Sequence, residues 1–209
     1  MAEPPRTTVN HSLLGAFLSM KLNSLEPEYG GYEPFVAKIG VSKGTYYILR
    51  YERGNPRFET VERIAERLKM SPYEFFGFTL EEVVEAFHRD GLSYRQAVKD
   101  AKKDSIPLVS YVLARKLKVL EEAHGGHKNF LSKIGISKGA YYALAHAKGN
   151  PTFRTVERIA QGLKMPVYAL LGFTEEEAER AYARNGLDYH ELVREVARRN
   201  IPYKDMGQT

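Results

Sequence analysis

The chain of 209 residues contains no cysteine. That excludes disulfides and every zinc site built on thiolates. No apolar run approaches the roughly 20 residues that a membrane-crossing helix needs. The opening MAEPPRTTVNH has no apolar signal core, so a cytoplasmic location is expected, with no membrane partner. Phosphate-binding loops, nucleophile triads and metal-ligand spacings are missing too. The expectation is a protein without enzymatic activity, metal or cofactor. His124 and His127 flank two glycines, a pair read as exposed surface because no thiolate or carboxylate accompanies it. The run Glu175-Glu176-Glu177 falls at a helix start, where the helix dipole favours acid.

What is present is ordinary in bulk and unusual in order. Hydrophobic residues make up 43% and charged residues 27%, as in soluble globular proteins. The stretch from Phe35 to Pro107, FVAKIGVSKGTYY…IP, returns from Phe130 to Pro202 as FLSKIGISKGAYY…IP, 95 positions on and without a gap. About half of the aligned residues are identical. A unit this long is a duplicated domain, because solenoid repeats run to roughly 20–50 residues. The expected organisation is an N-terminal arm (1–10), a first unit (11–105), a second unit (106–200) and a C-terminal tail (201–209). The length suffices for two small domains with their own cores. No linker rich in Gly or Ser separates them, so a rigid joint is expected.

Positive charge gathers in equivalent places. Residues 38–57 hold Lys38, Lys43, Arg50, Arg53 and Arg57 against Glu52, a net +4; residues 133–154 hold Lys133, Lys138, Lys148 and Arg154 with no acid, again +4. The whole chain carries only +5, so the remainder is net acidic. Two basic windows on an otherwise acidic chain fit a polyanion.

Apolar spacing is helical almost throughout. A helix is expected over 11–25, broken by EPEYGGYEP (26–34). Another runs from Tyr32 or Glu33 to Ile39, then a turn Gly40-Val41-Ser42 with Ser42 as N-cap. The next helix is expected to reach Arg53, where Gly54-Asn55-Pro56 ends it. Helices over 59–69, from Ser71-Pro72, from Thr79 with Glu82 as a capping box, and over 94–104 complete the unit. Pro107 opens the first helix of the second copy. The fold class is all-α, each copy a bundle of about five helices followed by two extra ones.

The turn carries the chemistry. A helix pair that reads DNA needs a small residue in its turn, apolar locking residues, and an exposed N-terminal end on the second helix. Gly40 and Gly135 supply the turn. Ile39, Val41, Tyr46 and Leu49 have the locking spacing, as do Ile134, Ile136, Tyr141 and Leu144. That leaves Ser42, Lys43, Gly44 and Tyr47 outward in one copy, and Ser137, Lys138, Gly139 and Tyr142 in the other. Lysine donates to guanine or phosphate, and glycine admits a close backbone.

The segment GVSKGTYY…GNPRFETVERIAERLKMSPYEFFGF resembles the phage-repressor-type (Xre) helix–turn–helix family. TVERIAERL (60–68) and TVERIAQGL (155–163) match the family's later helix. The GNPTFRTV of copy two is similar to a loop in antidote proteins of toxin–antitoxin modules. The resemblance covers roughly 60–70 residues of each copy and implies sequence-specific binding of double-stranded DNA. It implies base contacts from the outward residues just named. It places Tyr32, Arg50, Tyr51, Arg53, Asn55 and Arg57 on phosphates, with His127, His146, Lys148, Asn150 and Arg154 in copy two. The family usually carries Gln where Tyr32 and His127 stand. A transcriptional regulator of a prokaryote, plasmid or phage is the leading expectation. An adaptor or antitoxin-like partner of a toxin is the alternative, as is a plasmid or phage replication or partition factor. A homodimer stays open.

Overall fold

In the computed structural model, which describes residues 11–200, fourteen helices follow one another. The first seven are α1 (Leu13–Glu28), α2 (Tyr32–Ile39), α3 (Lys43–Arg50), α4 (Phe58–Arg67), α5 (Pro72–Phe75), α6 (Leu80–Arg89) and α7 (Tyr94–Lys103). The second seven are α8 (Leu108–Ala123), α9 (His127–Ile134), α10 (Lys138–Ala145), α11 (Phe153–Leu163), α12 (Val167–Leu170), α13 (Glu175–Arg184) and α14 (Tyr189–Arg199). Every helix of the second series starts 95 residues after its counterpart. The fold is all-α. Among the described residues there is no strand, and the one extended pairing is an antiparallel bridge between Arg57 and Thr152. No helix among them is long and apolar enough to cross a membrane.

Side-chain caps set most of the helix starts, because the first N–H groups of a helix have no partner within it. Ser42 accepts from the Thr45 amide at 3.0 Å. Thr79 with Glu82, Ser71 with Glu74 and Thr174 with Glu177 form reciprocal capping boxes. Two starts are capped from the opposite copy. Glu62 on α4 accepts from the amides of Leu108 and Val109 at 2.8 and 2.7 Å, at the head of α8. Glu157 on α11 accepts from the Leu14 amide and the Ser12 hydroxyl, both at 2.9 Å, at the head of α1.

That exchange is one of many. The Phe58 amide donates to the Pro151 carbonyl and the Phe153 amide to that of Pro56, both at 3.1 Å. Asn55 accepts from the Arg154 amide and Asn150 from that of Glu59. Arg89 binds Glu177 and the Gly172 carbonyl; Arg184 binds Glu82 and the Gly77 carbonyl. Lys21 donates to Asn185, and Lys116 to Asp90. In each pair both residues shift by 95 positions, one forward and one back. That reciprocity is the signature of an approximate twofold axis relating the copies, as in an isologous dimer. Phe58 meets Phe153 at 4.9 Å, and Phe78 stacks on Phe173 at 3.7 Å, so these equivalent rings straddle the axis.

The copies share their interior. Buried side chains of both join in one cluster, where the sequence reading expected separate cores. α7 packs on α8 and α14 on α1, so each copy's first helix rests against the other's last. The last helices and the rings at the axis together form the seam, and burying each of those phenylalanines contributes about 1.5–3 kcal/mol.

Several boundaries differ from expectation. α1 runs through Pro27 to Glu28, where a break at 26 was expected. Pro27 lies in the last turn, and the Gly31 amide still closes onto the Glu26 carbonyl at 2.9 Å. α3 stops at Arg50 instead of Arg53. Glu52 there takes a left-handed conformation (φ 54°) that would favour glycine, and the Arg53 amide returns to the Ile48 carbonyl at 2.9 Å. The glycine used as the stop signal, Gly54, comes two residues too late. The arm and tail expected at 1–10 and 201–209 lie outside the described residues.

Candidate nucleic-acid interface

In each copy a helix, a three-residue turn and a second helix present one exposed edge. Gly40 and Gly135 turn the chain with φ of 66° and 64°, a region where a side chain is strained. Ile39, Tyr46 and Leu49 are buried behind α3; Ile134, Tyr141 and Leu144 are buried behind α10. Val41 and Ile136 are half-buried against the same core. Tyr46 donates to Glu26 at 2.5 Å, and Tyr141 donates to the equivalent Glu121. Burial and that hydrogen bond push the Tyr46 hydroxyl well above the usual tyrosine pKa, so it stays a donor and locks the helix to α1.

The expected base-reading residues lie together on the outer side. Ser42 and Ser137 are the N-caps, accepting from Thr45 and Ala140. Lys43, Gly44, Lys138 and Gly139 are exposed in the first turn. Among the described residues nothing lies near enough to Gly139 to demand glycine, and at Gly44 only the Ser42 hydroxyl comes as close as 4.0 Å. Tyr47 is 47% exposed and Tyr142 42%, so each tyrosine pair splits into one core and one surface ring.

The copies then diverge. In copy one Lys43 is bonded to Glu33 at 2.6 Å, which raises its pKa. Arg50 is paired with Glu26 and reaches over Tyr51, 5.8 Å from its centroid. Arg53 sits over Tyr47 at 5.2 Å, and Tyr47 touches Tyr51 at 4.6 Å. Tyr32 lies against Tyr46 at 5.6 Å. In copy two the residue matching Glu33 is Lys128, and no carboxylate among the described residues pairs with Lys138. Lys138 instead reaches over Tyr142 at 5.6 Å. Residues of the basic windows outside the expected site, Lys38 and Lys133, are exposed beside it. Lys128 and Ile48, the latter 44% exposed, join the same edges. Alignment of the two copies singles both out, since their counterparts are Glu33 and Ala143.

The expected phosphate-facing residues separate into two groups. Tyr51, Arg53, Arg57, His146 and Lys148 are exposed. Asn55 and Asn150 instead bridge the copies across the axis, and Arg154 is half-buried with its Nε unpaired. No local signal marks this, since the partner of each GNP loop is the other GNP loop, 95 residues away. His127 Nδ1 lies 3.3 Å from Glu121 and, like His124, the residue is half-buried, not the exposed surface expected. The one group with metal-ligand spacing among the described residues is Glu175, Glu179 and His190, which are not the histidines singled out in the sequence.

Comparison of the chain with protein-family models, with curated proteins and with solved structures gave no match.

Proposed function

We propose that this chain binds double-stranded DNA at a two-part site, as a cytoplasmic, non-enzymatic transcriptional regulator. α3 and α10 are the recognition helices, one for each half-site. The observation that carries the reading is that the same capped helix start occurs twice about one approximate twofold axis. Each start offers a lysine and an unobstructed glycine (Lys43 and Gly44, Lys138 and Gly139). Free N–H groups at a helix start also attract phosphate. A twofold relation matches the dyad of duplex DNA, so the half-sites should form an inverted repeat. Tyr47, Tyr142, Arg53, Arg57 and Lys148 flank those starts and would contact backbone or thymine methyls.

In vitro selection from a random duplex pool tests the reading. The expected product is an imperfect inverted repeat with a shared core and unequal flanks. Binding should weaken by about 10³–10⁵ between 50 and 200 mM salt if roughly 6–10 phosphates are neutralised. A direct repeat would overturn the twofold docking, and the absence of any enriched sequence would overturn specific recognition.

A further inference from the structure

The two copies also differ on a face far from their shared motif in sequence. On α6 of copy one, Leu80 and Val84 are 51% and 47% exposed. They border an open groove of about 1210 Å³, floored by Leu92, Tyr94 and Val98. On the α7 side its charged lining is basic, Arg95, Lys99 and Lys102 with His88 alongside, while Glu81 and Glu85 flank the outer side of Leu80 and Val84. Copy two has the same helices at the same places and offers an internal control. There Leu80 becomes Glu175, Val84 becomes Glu179, His88 becomes Ala183 and Lys102 becomes Ala197. Glu179 is bonded to His190, the counterpart of Arg95, at 2.8 Å. The fold therefore tolerates acid at both apolar positions, and folding alone does not require Leu80 or Val84.

We propose that this groove of copy one docks a partner protein's amphipathic helix, with leucine-like residues facing Leu80, Val84 and Val98 and acidic residues facing Lys99 and Lys102. The dimensions fit. α7 has ten residues, which spans about 15 Å and matches roughly three turns laid along it. Exposed apolar side chains in a concave surface gain on being covered, and helix-in-groove recognition reads a stripe at i, i+3 or i+4, and i+7. The basic lining selects the sign of the flanking charge and discriminates against basic helices. The other copy lacks the groove's apolar rim, so one helix docks per chain. This surface is independent of the DNA reading and stands or falls separately.

The test uses the full chain and the double variant L80E,V84E, which carries the residues of copy two. A displayed library of random helical peptides is panned on the native chain, and enriched peptides are titrated against both proteins. The expected result is enrichment of apolar-acidic helices that bind at least tenfold more weakly to the variant. Their binding should also weaken as salt rises. Thermal unfolding of the variant close to that of the native chain shows that the loss is local. Absence of enrichment, enrichment of basic peptides, or equal binding to both proteins would overturn the proposal. So would self-association of the native chain in sedimentation that the variant abolishes, since the groove would then hold a second copy.

Discussion

The hydroxyls of Tyr168 and Tyr182 meet at 2.8 Å inside the core. In copy one the equivalent of Tyr182 is Phe87, and the equivalent of Tyr168, Tyr73, has a buried hydroxyl without a partner. The rings hold the same edge-on geometry in both copies, with centroids 5.8 and 5.6 Å apart. An unmatched buried hydroxyl is unfavourable, and a matched pair contributes on the order of 1 kcal/mol. Phe87→Tyr should therefore stabilise the chain by about 0.5–1.5 kcal/mol in denaturant unfolding. Tyr182→Phe should destabilise it by about 1–3 kcal/mol. Both substitutions moving stability the same way would contradict the pairing.

The cross-copy caps carry a pH dependence. Burial raises the Glu62 carboxyl to about 7, its two backbone hydrogen bonds and the nearby Glu59 adjusting the balance, and burial also raises Glu157. A raised folded pKa means the folded state holds the proton more tightly than the unfolded chain. The contribution is thus complete below the ordinary glutamate range and is lost as pH rises to about 7. Between those limits Glu62 accounts for at most about 1.4 kcal/mol per pH unit. Glu62→Gln should flatten that part of the stability profile, measured by denaturant melts from pH 4.5 upward. Identical slopes for the two proteins would remove Glu62 as the cause.

The reading edges should be unequal in DNA binding. Lys43 is already held by Glu33, whereas copy two has Lys128 in that place. Lys138→Ala is expected to weaken binding by about 1–3 kcal/mol where it reads guanine, and Lys43→Ala by less. Glu33→Lys, which copies the second unit, should steepen log affinity against log salt by about one unit. Equal losses from the two alanine variants on every sequence would assign both lysines to phosphate.

The helix starts were legible because their signals are local: Ser42, Ser71 and Thr79 cap within three residues of themselves. The locking residues were legible too, since Ile39, Tyr46 and Leu49 follow helical spacing. The end of α3 was not, because the left-handed position is occupied by Glu52 instead of glycine. The relation between the copies was hidden for another reason. Arg89 and Glu177 look like ordinary surface charges on helices 88 positions apart, and only the folded chain joins them. The same holds for Asn55, expected on a phosphate, whose side chain here spans the axis.

Closure of the chain can be tested by moving its ends. The His11 amide donates to the Asn200 side chain at 2.6 Å, and that side chain donates back to the His11 carbonyl at 2.8 Å. Asn200 and His11 correspond to Ser105 and Ile106, which a peptide bond joins. A permutant of residues 11–200 opened between 105 and 106, with 200 linked to 11, should fold and melt within a few degrees of the same span unpermuted. Failure to fold would show that the covalent joint at 105–106 does more than connect.

The reciprocal contacts about the axis have a consequence for inheritance. In a homodimer every substitution appears on both sides at once, and dilution separates the halves. Here the halves cannot part, so occupancy of a two-part target would not depend on a prior assembly step. Each half can also change alone. Glu33 against Lys128, Phe87 against Tyr182 and Leu80 against Glu175 are positions where the two halves carry different chemistry. A single reading frame thereby holds what two separate genes would need to make a matched heterodimer.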